Sequence, residues 1–349
     1  GSQKIPNFRL VRDIGYFNTI RNFRRLQWLY ILLTGASPAV DESFRLLATD
    51  RFLMQGRTNI AQGATSLRMS DLGYQSTAQE SINISFNRLD TYCSSLESAV
   101  TQPWPTYEGI GLVDEYGFKQ LNTAVLQIEN EYYSSIRPKR GQNPGERPVR
   151  ALLNRGVEYL EIRAIDLNPF TPNGISENET ALITLLIVAS ALADSPVNTD
   201  AECAALNSLN ARATWAGRRD NQKYCRNMTF RSAGLRFLND LDFLAECLDQ
   251  AFDSTKHLEA LTDARCQLSG TKSLLSYEIE QKSFKSGHLA FGLDMAENHH
   301  QKLLSRFANA SDQDGMKKLA ADSLVTEEVL SEANEGSFEN FVRTFVNQV

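Results

Sequence analysis

Apolar residues recur at helical spacing between residues 11 and 33, through Ile14, Phe17, Ile20, Phe23, Leu26, Leu29 and Tyr30. The pattern predicts one long helix, with Arg12, Arg21, Arg24 and Arg25 on the rest of its surface and Thr34-Gly-Ala-Ser-Pro-Ala as its stop. Residues 59–74 are polar and punctuated by glycine, which predicts an irregular connection. Residues 81–100 are amphipathic and read as helix up to the Pro103-Trp104-Pro105 break. From 118 to 133 the chain reads as extended. In its last part, residues 123–133, Leu126 and Ile128 face one side, and Gln127, Glu129, Glu131 and Tyr133 the other, so a strand with a polar face is expected. Residues 134–150 form a Pro/Gly/Arg loop containing Ile136-Arg-Pro-Lys-Arg140. Ser176-Glu-Asn-Glu179 is a capping box that opens an apolar helix. From about residue 201 the pattern is helical almost throughout, with 231–252 and 278–307 periodic and 326–349 an acidic helical tail. The expected plan is α+β: a sheet-bearing part over 1–200, then a mainly helical part over 201–349.

A second strand is predicted within Gly156-Val-Glu-Tyr-Leu-Glu-Ile-Arg-Ala-Ile-Asp-Leu-Asn-Pro-Phe170, running from a glycine to an Asn-Pro stop. Alternation puts Tyr159, Glu161 and Arg163 on one side and turns Leu160 and Ile162 toward the core. A carboxylate and a guanidinium two residues apart on one face read either as a structural ion pair or as a metal ligand beside a phosphate clamp. If the two predicted strands are neighbours, Glu129, Glu131 and Glu161 cluster on a solvated face. Clustered carboxylates repel unless a cation neutralises them or one takes a proton. Magnesium suits such oxygens and commonly bridges them to phosphates. With Arg163, Arg137, Lys139 and Arg140 to meet anionic oxygens, the set fits phosphoryl transfer. The alternative is a solvated sheet face beside a basic loop.

Arg68, in Ser66-Leu-Arg-Met-Ser-Asp-Leu-Gly-Tyr74, lies in a loop otherwise short of cations and is a natural bidentate partner for a carboxylate; its simplest role is a bridge to Asp71. Tyr74 adds a phenolic donor. His257, His288, His299 and His300 lack metal-ligand spacing and read as surface or structural residues. There is no glycine-rich P-loop, G-x-S-x-G elbow or H-E-x-x-H.

Composition narrows the function classes. The 349 residues carry a net charge of −6, which argues against a generic nucleic-acid surface. No basic segment leads into an apolar signal core, and the longest apolar run, 181–193, falls short of the roughly 20 residues that span a bilayer. No membrane partner is expected, and a cytoplasmic setting is. Five cysteines without C-x-x-C spacing fit mostly reduced thiols rather than a disulfide framework or zinc site; Cys203 and Cys225 could approach one another across a turn-rich segment, with inert thiols the expectation and a disulfide the alternative.

Together the segments resemble the bacterial type of glutamate–cysteine ligase. The resemblance is carried by Gly15-Tyr-Phe with Ile20-Arg-Asn, Gly35-Ala-Ser-Pro-Ala, Ala64-Thr-Ser-Leu-Arg-Met-Ser-Asp-Leu-Gly-Tyr and Val125-Leu-Gln-Ile-Glu-Asn-Glu. It continues through Ile136-Arg-Pro-Lys-Arg, Gly156-Val-Glu-Tyr-Leu-Glu-Ile-Arg, Asp166-Leu-Asn-Pro-Phe and Ala191-Leu-Ala-Asp. These motifs cover residues 15 to about 194 densely and in the family's order, and the helical remainder is similar only loosely.

The resemblance implies an ATP- and magnesium-dependent enzyme. It phosphorylates the γ-carboxylate of L-glutamate and lets the amine of L-cysteine displace phosphate, the first step of glutathione biosynthesis. It implies an antiparallel sheet of the glutamine synthetase type with helices outside. Glu161 matches a magnesium ligand, Arg163 a contact to the transferring phosphoryl group, and Arg68, Tyr74 and Tyr133 the amino-acid pocket. The chain begins partway into the family's length. The resemblance implies that roughly the first third lies elsewhere, with a glutamate-rich magnesium motif, a histidine ligand and strands of the same sheet. That part is expected as a separate chain or disordered, or else this fragment is not competent alone, and a sheet edge should be exposed. The alternatives are a related carboxylate–amine ligase with another amine acceptor and a noncatalytic fragment that keeps the pocket. A glycosidase using Glu129 and Glu161 ranks below both.

Overall fold

A computed structural model describes residues 8–44, 50–73, 76–308, 313–332 and 337–348. The long helix predicted at the start is α1 (Phe8–Thr34). In its first half one side is exposed, with Leu10, Val11 and Ile14 in solvent, while Phe17, Ile20 and Phe23 are buried. In its second half Trp28, Leu29, Tyr30, Ile31, Leu32 and Leu33 are all buried, so the helix runs into the middle of the molecule. Two of the polar side chains taken inside are paired to main chain. Asn22 Nδ2 donates to the carbonyls of Ser190 and Ala193, and Asp13 Oδ1 accepts from the Val157 amide at 2.8 Å. The helix stops at Gly35, where a Cβ would lie 2.5 Å from the Ile31 carbonyl oxygen.

Three short strands follow, β1 (Ala39–Asp41), β2 (Leu53–Gln55) and β3 (Thr58–Ile60), with β3 antiparallel to both others. The segment expected to be helical from 81 is irregular at first, and α2 (Leu89–Thr101) begins later. A short helix α3 (Pro105–Ile110) leads into the hairpin β4 (Val113–Asp114) and β5 (Gly117–Phe118).

The strand expected over 123–133 does not form, and residues Glu129–Glu131 make a 3-10 turn instead. Side chains there bond to the local backbone, and so compete with any ladder: Gln127 N donates to Glu131 Oε2, and Leu121 N to Gln127 Oε1. The partner strand comes from the segment read as a loop. Residues Ile136–Lys139 form β6, antiparallel to β7 (Tyr159–Ile162), with the short helix α4 (Pro148–Arg155) between them.

The capping box appears as drawn, with Ser176 accepting from the Glu179 amide and Glu179 accepting from the Ser176 amide, and opens α5 (Glu177–Leu192). This helix packs between α1 and a later helix, which explains its apolar run. The remainder is α6 (Asp200–Ala216), the hairpin β8 (Lys223–Cys225) and β9 (Met228–Thr229), then α7 (Phe230–Leu238), α8 (Asp242–Phe252) and α9 (Lys256–Ser269). There follow α10 (Leu275–Ser286), α11 (His288–Ala308), α12 (Gln313–Glu332) and α13 (Phe338–Val346). The periodic stretch 278–307 is thus two helices, divided at Gly287 with φ +85°. The five cysteines are free thiols. Among the described residues no helix is long and apolar enough to cross a membrane.

Candidate functional site

Register fixes the site. In the β6–β7 pair Ile136 opposes Ile162, Arg137 opposes Glu161, Pro138 opposes Leu160 and Lys139 opposes Tyr159. Directly opposed residues share a face. Ile136 and Pro138 are buried, and Leu160 and Ile162 pack against the core, so Arg137, Lys139, Tyr159 and Glu161 share the other face. Arg163 continues the pattern one step past β7, its amide donating to the Ser135 carbonyl at 2.8 Å.

The Arg163 guanidinium lies 2.9 Å from Glu161 Oε1, with the two side chains 33% and 30% exposed. The pair therefore faces a half-wet surface rather than the interior. Lys139 Nζ lies 3.8 Å from Glu161 Oε2. Burial opposes ionisation of Glu161, but the Arg163 hydrogen bond and the charges of Lys139, Arg163 and Arg137 outweigh it and hold this carboxyl below its ordinary range. Oε2 is shielded from solvent and, among the described residues, accepts no hydrogen bond. An oxygen in that state is a ready ligand for a cation. Among the described residues no group of three or more His, Cys, Asp or Glu side chains is placed to hold a metal ion.

The expected carboxylate cluster is absent because Glu129 points inward. It is 5% exposed and paired with Arg147, whose guanidinium reaches Glu129 Oε2 at 3.0 Å and stacks over Phe345. Glu131 is engaged by the Gln127 amide.

Arg68 sits in a 3-10 turn, Leu67–Met69, capped by Ser66. It bonds to Asp166 and the strand end rather than to Asp71. Arg68 Nη2 donates to the Arg163 carbonyl at 2.6 Å, and Nη1 lies 3.5 Å from Asp166 Oδ1. Asp166, buried just past β7, takes the Ala36 amide at 2.8 Å and the Ser37 hydroxyl at 2.7 Å on its other oxygen. Asp71 instead binds Arg51 and the Trp215 indole N–H. Gly73 has no room for a side chain, since a Cβ would lie 2.1 Å from the Arg68 carbonyl oxygen.

A cavity of about 640 Å³ opens beside this arrangement, lined among others by Tyr133, Ser135, Met69, Asp71, Arg24 and Gln27. Tyr133 reaches its wall through a main-chain bond to Gln79 Oε1 at 2.8 Å. Arg163 and Arg68 adjoin the lining residues Ser135 and Met69, the former across the ladder and the latter along the chain. Tyr74 lies outside the described residues. The structure thus ties Arg68, Arg163 and Glu161 directly together and sets Tyr133 on the neighbouring cavity wall. Sequence reasoning passed over Asp166. Its signals were an acidic residue ending an apolar strand before Asn-Pro and its place in the Asp166-Leu-Asn-Pro-Phe motif, neither of which gives it a role.

Short antiparallel strands set among helices make this an α+β chain of the glutamine synthetase type. Residues 2–212 match the family described as glutamate-cysteine ligase, and the chain belongs to that family. It is 37% identical to a glutamate–cysteine ligase of Hahella chejuensis over 346 residues, 96% of this chain, and 38% identical to one of Alcanivorax borkumensis over 342 residues, 95% of this chain. In both cases it spans 65% of the relative's length. The crystal structure of glutamate–cysteine ligase from Francisella tularensis, a complex with AMP, superposes with a TM-score of 0.88 at 27% identity, covering 96% of this chain and 68% of that one.

Proposed function

We propose that the chain carries part of the active site of an ATP-dependent glutamate–cysteine ligase. The observation that carries this reading is the Arg68–Arg163–Glu161 linkage beside the cavity, in a chain of this family. The reaction is written as two displacements. A γ-carboxylate oxygen of L-glutamate attacks the γ-phosphorus of ATP, the bond to the β-phosphate oxygen breaks, and ADP leaves with its electron pair. The amine nitrogen of L-cysteine then attacks the acyl carbon of the γ-glutamyl phosphate. The carbon–oxygen bond breaks, phosphate leaves, and the nitrogen loses a proton.

Charge that builds on the transferring phosphoryl oxygens calls for preplaced cations. Arg163 is proposed for that contact. It is held by Glu161 on one side and through its backbone by Arg68 on the other. Arg68 and Tyr133, with Tyr74, are proposed to line the amino-acid pocket. Glu161 is proposed as one magnesium ligand, which its unbonded Oε2 supports. Magnesium commonly takes one or two protein carboxylates and completes its shell with phosphate oxygens and water. When bound it neutralises phosphate charge. The AMP in the Francisella tularensis structure supports a nucleotide site.

Residues 1–200 are proposed as the catalytic part, and 201–349 as its helical support. Free thiols throughout fit the cytoplasm. Measuring ADP release with L-glutamate plus L-cysteine, against L-glutamate plus other amines, tests the reading. The assay is run on the chain alone and together with the remaining third of a relative. Release that depends on cysteine is expected. Release with another amine only, or none with the complement supplied, would overturn it.

A further inference from the structure

Four cations surround the Glu161 strand in sequence, and the structure separates them. Arg137 is 4% exposed and is spent on main-chain carbonyls, donating to Asn130 at 2.9 Å and to Tyr132. Arg140 follows Lys139 by one position, and its guanidinium lies 3.7 Å from Glu158. Arg163 is the phosphoryl contact proposed above. Lys139 is different. It shares the face of Glu161 by register, is only 22% exposed, and meets Asn130 Oδ1 at 3.5 Å and Glu161 Oε2 at 3.8 Å.

An ammonium has three donors, and its bonds to anionic oxygens are normally about 2.7–2.9 Å long. Both of these contacts are longer. Across the 3.8 Å gap stands a carboxylate oxygen that accepts no hydrogen bond among the described residues. The face thus holds a desolvated ammonium with loose partners and a shielded carboxylate oxygen with none, beside the Arg163 guanidinium. Arg137, Lys139 and Arg163 outnumber the one carboxylate they surround, so the surplus charge favours an incoming anion. An oxyanion bridged to a cation on Glu161 would satisfy both unmet groups together.

We propose that Lys139 is a second phosphoryl-binding cation, donating to an oxygen of the γ-phosphate of ATP opposite Arg163 as the phosphoryl group moves to the substrate carboxylate. This rests on the ligase reading of the same site. It adds a catalytic residue on β6 and makes the strand pair a two-sided phosphate clamp, Arg163 from β7's end and Lys139 from β6. The bonds made and broken are those of the first displacement above. Lys139 keeps its proton throughout.

The test compares Lys139→Met, Lys139→Arg and, as a control lysine just past β5 that pairs with Asp114, Lys119→Met, in the protein that shows glutamate-dependent ADP release. Two readouts are taken: affinity for ADP against a β,γ-imido ATP analogue, both with magnesium, and kcat with KM for L-glutamate. Lys139→Met should weaken the analogue about tenfold or more relative to ADP and lower kcat about a hundredfold, with KM for glutamate changed less than about threefold. Lys139→Arg should restore part of both, and Lys119→Met should change neither. Equal affinity losses for ADP and the analogue, or an unchanged kcat, would overturn the proposal. If Lys139→Met unfolds, Lys139→Gln supplies the same comparison. Nucleotide affinities need no amine, so failure here is separable from failure of the cysteine-dependent turnover that tests the ligase reading.

Discussion

Arg68 Nη2 lies 2.6 Å from the main-chain oxygen of Arg163, so a side chain from an irregular turn holds the end of the strand that carries Glu161. The contact spans 95 positions of sequence and sets where the Arg163 guanidinium begins. Its other arm rests on Asp166. A planar fork can serve both partners at once, whereas an ammonium is a point donor.

Arg68→Lys should therefore lower kcat/KM for L-glutamate about a hundredfold, because roughly an ångström of misplacement at a reacting centre can cost that much. Steady-state kinetics beside a thermal unfolding curve checks it. A fully active Arg68→Lys would show that the fork does not position Arg163.

Glu161→Gln keeps the shape of the side chain but removes its charge. The magnesium concentration for half-maximal turnover should rise at least about tenfold, read from a metal titration at saturating ATP. Arg163→Ala should cut kcat about a hundredfold and move KM for glutamate far less, as expected for a contact used in the transition state. Wild-type kinetics in both variants would remove the site.

Glu129 belongs to the interior. Glu129→Ala leaves the Arg147 guanidinium buried without its carboxylate, which typically costs about 3–5 kcal/mol. Urea unfolding should show that loss, and Glu129→Leu combined with Arg147→Met should recover much of it. The magnesium requirement of folded protein should stay unchanged. A shift in that requirement would return Glu129 to the metal.

Asp249 sets an acid limit on the helical part. Burial works against its charge, but the His257 and Leu258 amides, the His257 ring and the Ser254 hydroxyl hold it down to about 2. Those two amides open α9, so this carboxylate at the end of α8 caps the next helix. A carboxyl lowered on folding stabilises above its ordinary pKa, and that stability is lost as pH falls from about 4 toward 2. Asp249→Asn should be less stable by about 2 kcal/mol at pH 7, with the gap narrowing over that window in urea titrations. A gap independent of pH would refute the charge as its cause.

Much of this was legible in the chain. Seven apolar positions at helical spacing marked α1, and Ser176 with Glu179 marked the start of α5. The shared face of Glu161 and Arg163 followed from simple alternation. The partner strand was misplaced for two physical reasons. Gln127, Glu129, Glu131 and Tyr133 alternate perfectly, yet local side-chain bonds to the backbone turn that stretch into a 3-10 turn. The true partner contains Pro138, which argues against a central strand and is tolerated in this two-stranded pair. The Asp166 contacts were invisible because they join residues about 130 positions apart, a separation no local pattern encodes.

That buried carboxylate gives the site an internal reporter. The Ala36 amide proton is held by Asp166, which also holds Arg68, so it exchanges with deuterium only when the carboxylate lets go. The pace of that single exchange reads out how firmly the turn is latched to the strand.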